Sequence, residues 1–217
     1  MSEVQKHGFF WEKHTLLNCF GISEENLQSI GYYAKHDLPL NLNPEGFNIS
    51  CKCSKSLNDV NMGDSIRLFD SVNNKDDKIH IIIFFWKQFN NTKKVIKTYE
   101  IDITDKKDLL FGGIIKSELE ELRDLVRKIP TKSKPTPEER KVIYELRDKL
   151  HEKKGALRLD IKCNSQQSRI QCTIHKFNKF IEENVNLVVN FNETNEFRGK
   201  LIPDFEGGAR VFKKKNT

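Results

Sequence analysis

The sequence predicts an α/β fold: a central mixed β-sheet flanked by helices, with a helical segment inserted around residues 106–155. Three observations carry this. The run "IIIFFW", Ile81–Trp86, has the length of a strand and the continuous apolarity of one buried on both faces. Alternation with a period of two recurs around it, in "FNISCKC" and "KKVIKTYEIDI". Helical spacing takes over from Lys106 to Leu150. A length of 217 residues with 37% hydrophobic residues suits one domain over 1–217. Within it the chain divides into a core over 1–105, the helical segment, strands over 156–212 and a basic tail at 213–217.

In order along the chain, "SEVQKHGFFWEKHTLLNCFGI" places Phe9, Trp11, Leu16, Leu17 and Phe20 on an amphipathic helix ending at Gly21. Ser23 before "EENLQSI" reads as an N-cap and a short second helix. Leu38, Leu40 and Leu42 then alternate with Pro39, Asn41 and Asn43. "NPEG" supplies turn chemistry, and with "FNISCKC" the whole predicts a β-hairpin. "DVNMGDSIRLFDSV" returns to helical spacing through Ile66, Phe69 and Val72. The apolar strand and "KKVIKTYEIDI" should pair. The helices "KSELEELRDLVRKI" and "ERKVIYELRDKLHEKKG" flank a linker interrupted by three prolines, and Gly155 ends the second. Strands resume at "ALRLDIKC", "SRIQCTI" and "NVNLVVNF", with a short helix near "KFNKFIEE".

The charge balance is 37 Lys+Arg against 31 Asp+Glu, a net +6, which favours polyanionic partners. Five cysteines, no leader-like segment and no apolar run of membrane-spanning length point to a reducing cytoplasm and no membrane. Cys51, Cys53, Cys163 and Cys172 lie on apparent strands, not in the paired turns typical of zinc ligands. The six histidines form no H-x-x-x-H pair, and there is no G-x-S-x-G, P-loop or G-x-G-x-x-G.

The stretch "NPEGFNISCKCSKS" carries a lysine, Lys52, on a strand following a turn. With "HGFFWEKH" on the first helix, the hairpin, the following helix and the long apolar strand, Gly8–Ile103 resembles the PD-(D/E)XK nucleases of the type II restriction endonuclease kind. The resemblance covers about half the chain. It implies a restriction-endonuclease-like sheet, Mg²⁺ as cofactor, and hydrolysis of phosphodiester bonds in double-stranded DNA by a homodimer. It maps the first acid onto Asp37 and the lysine onto Lys52, with the Cys51 carbonyl as a further metal oxygen. Ser50 stands where the family usually has an acid. Asp64 on the following helix is then the expected substitute ligand, and Glu12 an outer ligand acting through water. The alternative is a non-catalytic DNA-binding module on a decayed nuclease fold, which Ser50 favours.

A rival D-x-K, Asp160-Ile161-Lys162, has no preceding strand with its own acid and reads as DNA-proximal or solvent-facing. Asn164, Gln166, Gln167, Arg169 and Gln171 supply amide and guanidinium groups of the kind that pair with base edges, and Lys55 lies just beyond the Lys52 strand.

Overall fold

The computed structural model describes residues 6–30, 35–131, 133–163 and 168–208. The fold is mixed α/β. In chain order the elements begin with α1 (Lys6–Asn18), α2 (Glu24–Ser29), β1 (Asn48–Ser54), β2 (Asp59–Asp64), α3 (Ser65–Asn73), β3 (Ile79–Phe89) and β4 (Thr92–Asp102). Then come α4 (Lys107–Phe111), α5 (Lys116–Arg127), α6 (Pro137–His151), β5 (Leu157–Cys163), β6 (Ser168–His175) and α7 (Phe177–Glu183). Short strands close the chain: β7 (Val188–Asn192), β8 (Glu196–Phe197), β9 (Lys200–Leu201) and β10 (Phe205–Glu206).

The residues separate into two compact units. The first takes Met1–Ser56, His80–Asp102 and Val188–Thr217; the second takes Leu57–Ile79 and Ile103–Leu187.

The first unit is built on a sheet in the order β1-β3-β4-β10, with β7 also paired to β4. β3 and β4 run antiparallel from His80↔Asp102 to Phe89↔Thr92. Ile82, Phe84 and Trp86 of β3 join Trp11 and Leu16 of α1 and Ile49 of β1 in one apolar core. Ile81, Ile83 and Phe85 are buried as well, which is why this strand is apolar without alternation. Burying such side chains contributes roughly 1.5–3 kcal/mol each. Trp11 also satisfies its indole, Nε1 donating to the Pro203 carbonyl at 2.9 Å.

One ionic network lies inside this unit. Glu100 is fully buried, Oε2 accepting from Arg198 Nε (2.8 Å) and Oε1 from Arg198 Nη2 (2.6 Å), with His80 Nδ1 also 2.7 Å from Oε1. Arg198 Nη1 reaches Glu45 at 2.5 Å. Arg198 (φ 49) and Gly199 (φ 73) form the turn between β8 and β9, where left-handed backbone at both positions suits a tight hairpin.

The second unit holds an antiparallel sheet in the order β2-β6-β5. Val60, Leu157, Leu159, Ile170 and Ile174 are buried in it. The α5 stripe Leu119, Leu122 and Val126 is buried at helical spacing. Thr136 caps α6 with Glu139 reaching back to its N–H and Pro137 at the first helical position.

Two local expectations are corrected. The hairpin arm at Leu38–Leu42 shrinks to a single antiparallel bridge, Leu38↔Ile49. Pro39 offers no N–H for a ladder, and the Leu40 N–H turns instead to the Asn48 side chain at 2.9 Å. Residues 59–64, read as the start of a helix, form β2, with Val60 and Met62 buried in alternation. The helix begins only at Ser65, where Asp64 accepts from the N–H groups of Ile66 and Arg67.

Candidate metal and phosphate site

Three ionisable side chains from distant parts of the sequence meet in the first unit. The bridge at Leu38 aligns the segment before it with β1: the Asp37 and Leu38 N–H groups both donate to the Ile49 carbonyl, at 2.9 and 3.1 Å. Asp37 is then fixed by its own side chain, Oδ2 accepting from the Cys51 N–H at 2.7 Å. Lys52, half-buried, is the next residue on β1.

Glu12 arrives from α1. Gly8, one turn before it, would place a Cβ 3.8 Å from Cys53 Sγ, so this helical face lies against β1. Residues four apart share a face, so Glu12 is turned to the same strand. Burial, and then the negative charge of Asp37, pushes the Glu12 carboxyl up to about 8, with the Lys52 ammonium opposing the rise. The same surroundings act on the flanking thiols. Burial first, and then Glu12, push Cys53 up to about 12, and burial, Glu12 and Asp37 push Cys51 in the same direction. Both thiols therefore stay protonated at neutral pH, and the donors this cluster offers are oxygens.

Cation binding can be judged from the donor set. Asp37 retains Oδ1, Glu12 contributes a second carboxyl group that would release its proton to a bound cation, and the Cys51 carbonyl belongs to the residue whose N–H holds Asp37. Mg²⁺ takes hard oxygen ligands, commonly one or two carboxylates together with water and substrate phosphate, so these residues fit it. Among the described residues there is no group of three or more His, Cys, Asp or Glu side chains placed to hold a metal.

The other expected site residues are distributed differently. Asp64 belongs to the second unit, where its Oδ1 caps α3. The acid brought beside Asp37 is Glu12, which the sequence assigned only an outer role. Asp70, one helical stretch further, pairs with Lys116 at 2.8 Å. Lys55 is exposed, with its ammonium 5.8 Å from the Trp86 ring centre, within cation–π range. Arg169 and Gln171 sit on β6 in the second unit. Asn164, Gln166 and Gln167 lie outside the described residues. In the rival D-x-K, Asp160 Oδ2 accepts from Thr173 Oγ1 at 2.6 Å, and Lys162 faces Arg169 across the β5–β6 ladder.

The sequence offered no signal for the Glu12–Asp37 encounter except Gly8, whose missing side chain permits the close approach of α1. It also left unread the polar side chains that hold the turn before β1. Asn43 Nδ2 donates to the Phe47 carbonyl at 2.7 Å, and Asn48 Oδ1 receives the Leu40 N–H.

The chain has no significant match to any family model, curated protein or solved structure. No helix among the described residues is long and apolar enough to cross a membrane.

Proposed function

We propose that the chain is a Mg²⁺-dependent endonuclease for double-stranded DNA, of the type II site-specific kind, built on a restriction-endonuclease-like plan and acting as a homodimer. The observation that supports this reading is the meeting of Glu12, Asp37 and Lys52 around β1, two carboxyl groups and an ammonium drawn from three segments, with the Glu12 proton leaving when a cation binds. Phosphodiester hydrolysis asks for that combination: anionic oxygens for a cation, and a fixed positive charge for phosphate. Ser50 then stands where the family usually has an acid because α1, not the strand, supplies the second carboxylate.

Asp37 and Glu12, with the Cys51 carbonyl, are the groups that would hold Mg²⁺. When bound, the ion supplies Lewis acidity to the phosphoryl oxygens and acidifies a coordinated water. The chain itself contributes orientation. The Cys51 N–H holds Asp37 in one rotamer, so no side-chain ordering remains when phosphate arrives. Lys52 lies beside the carboxylates, where its ammonium offsets phosphate charge and steers the attacking water. Cutting both strands requires a second copy of the site, for which a two-fold homodimer is the simplest arrangement.

The test is incubation with plasmid or phage DNA and Mg²⁺. Discrete fragments that disappear in Asp37→Asn and in Lys52→Ala are expected, each by at least a hundred-fold. Undiminished cutting in both variants refutes the site. Ser50 favours one second reading, a DNA-binding module without catalysis. It predicts tight DNA binding in Ca²⁺ with no cleavage in Mg²⁺ or Mn²⁺.

A further inference from the structure

In the first unit, β4 turns a lysine towards the core. Lys93 is 6% exposed, stands two residues before the core residue Val95, and pairs in register with Phe205 of β10. Among the described residues its ammonium lies over two rings, Trp86 at 5.6 Å and Phe205 at 5.4 Å, with no carboxylate within ion-pair distance. The rings offset part of the cost of desolvating a cation, but they leave its N–H donors without acceptor oxygens. The two acids of this edge lie on the other face of the sheet. Asp204 pairs with Lys94 at 2.8 Å, and Glu206 accepts from Thr92 Oγ1 at 3.0 Å.

His7 of α1 adjoins the same two rings, with centroids 4.7 Å from Trp86 and 6.1 Å from Phe205, and is also 6% exposed. Its Nδ1 is enclosed and has no hydrogen-bond partner among the described residues. Burial, and then the Lys93 ammonium, push the imidazole down to about 4. It is therefore neutral at pH 7 and can carry its one proton on Nδ1. Buried polar atoms are almost always bonded, so two unmet groups beside one pair of rings call for a shared acceptor. Gly207 leaves room for it. A Cβ there would lie 3.7 Å from Lys93 Nζ and 2.9 Å from Phe205 Cε1, so any side chain would crowd the ammonium. Phe10, 39% exposed and 5.5 Å from Phe205, extends the apolar wall outwards. The candidate metal site is a separate group: the charges acting on Glu12 are Asp37 and Lys52, and the charge acting on His7 is Lys93.

We propose that Lys93 and His7 bind the carboxylate of a small organic acid with an apolar body, one oxygen on the ammonium and the other on the imidazole Nδ1–H. Trp86, Phe205 and Phe10 surround the body of the acid. Two donors match the two oxygens of a carboxylate. A phosphate would bring further anionic oxygens against ring carbons, where nothing replaces their hydration. The site goes beyond the nuclease reading and does not depend on it.

The probe is phenylacetate, titrated into the full chain at pH 7, with phenylacetamide, acetate and inorganic phosphate as comparisons. Binding is read from the imidazole nitrogen NMR signal of His7, assigned by its loss in His7→Phe, and from thermal unfolding. Phenylacetate should move the His7 signal saturably and raise the Tm of wild type. The neutral amide should do neither, and acetate and phosphate should bind several-fold more weakly. Lys93→Met should weaken phenylacetate at least ten-fold. Without any acid, the same variant should unfold at a higher temperature than wild type, because it removes a buried charge that has no counter-ion. The proposal is overturned if phenylacetate leaves the His7 signal unmoved, or if Lys93→Met binds it as well as wild type does. A lower Tm for Lys93→Met without acid also overturns it, since the ammonium is then satisfied by the two rings alone. Phosphate that binds as tightly as phenylacetate overturns the choice of a carboxylate.

Discussion

Replacing Arg198 by methionine keeps most of the side-chain volume and removes the cation that donates two hydrogen bonds to Glu100. Glu100 has no solvent exposure, so the lost partner cannot be replaced by bulk water. Hydrogen bonds to charged groups contribute about 1.5–3 kcal/mol each, and breaking a buried ion pair costs about 3–5 kcal/mol. His80, 2.7 Å from the same carboxylate, remains in place and brings the expectation to about 3 kcal/mol. In a chain of this length that corresponds to a fall in Tm of roughly 6–12 °C. The pH dependence carries its own sign. Burial pushes the Glu100 carboxyl up, but hydrogen bonds from His80 and Arg198 and their charges outweigh it, and the carboxyl ends below its ordinary range. Its contribution is thus fully present above the ordinary carboxylate pKa and is lost as pH falls through the depressed folded value. The cost of Arg198→Met should be largest near pH 7 and shrink as pH falls through the depressed Glu100 value. Urea unfolding followed by the fluorescence of Trp11 and Trp86, both in the core of the same unit, reads the difference. A cost below about 1 kcal/mol at pH 7, or one that does not shrink anywhere down to acid unfolding, refutes the network as a buried ionic support.

Glu12→Gln tests the acid cluster without catalysis. Because the folded Glu12 carboxyl sits near 8, the native state loses stability as pH rises from the ordinary carboxylate range through 8. In metal-free buffer the variant should therefore gain on wild type by about 3–5 kcal/mol at pH 8 and by nothing at pH 4. An equal gain at both pH values removes the charge explanation. Added Mg²⁺ should raise the Tm of wild type and leave that of Asp37→Asn unmoved; equal shifts in both place any bound ion away from Asp37. Gly155→Ala probes the second unit, since a Cβ there would lie 2.5 Å from both the Leu110 carbonyl oxygen and the Phe111 carbonyl carbon. A cost of about 2–4 kcal/mol is expected in thermal unfolding, and a neutral outcome would show that the backbone there gives way freely.

The parts of the fold that could be read from the sequence are those whose burial is decided locally. β3 announces itself because six consecutive apolar residues have no soluble alternative, whereas α6 starts earlier than expected, Thr136 and Pro137 of the expected linker being its cap and first residue. β2 could not be read. Val60 and Met62 give only two alternating positions, and the Asp and Asn residues beside them carry no β preference, so its strand character comes from pairing with β6. The candidate site divides in the same way. Asp37 and Lys52 follow from the turn and the strand, a relation within about fifteen residues of chain. Glu12 does not, because its place depends on how α1 docks, and tertiary packing sets that.

The turn between Asp37 and β1 connects these two kinds of information. Its residues look like ordinary loop chemistry, yet Asn43 and Asn48 are buried, and each spends its side chain on a backbone group of the same turn. Glu45 at the tip is held by Arg198, which reaches it from the β8–β9 hairpin and also carries Glu100. Pro39 prevents a regular ladder, so these side-chain bonds, together with the single Leu38↔Ile49 bridge, fix the path that sets Asp37 against Cys51. A carboxylate meant to meet a cation must be held to within about half an ångström. The tip of the same turn is held by a residue more than a hundred positions away in the chain. The network around Arg198 thus holds the tip of the turn that follows Asp37 as well as supporting the core.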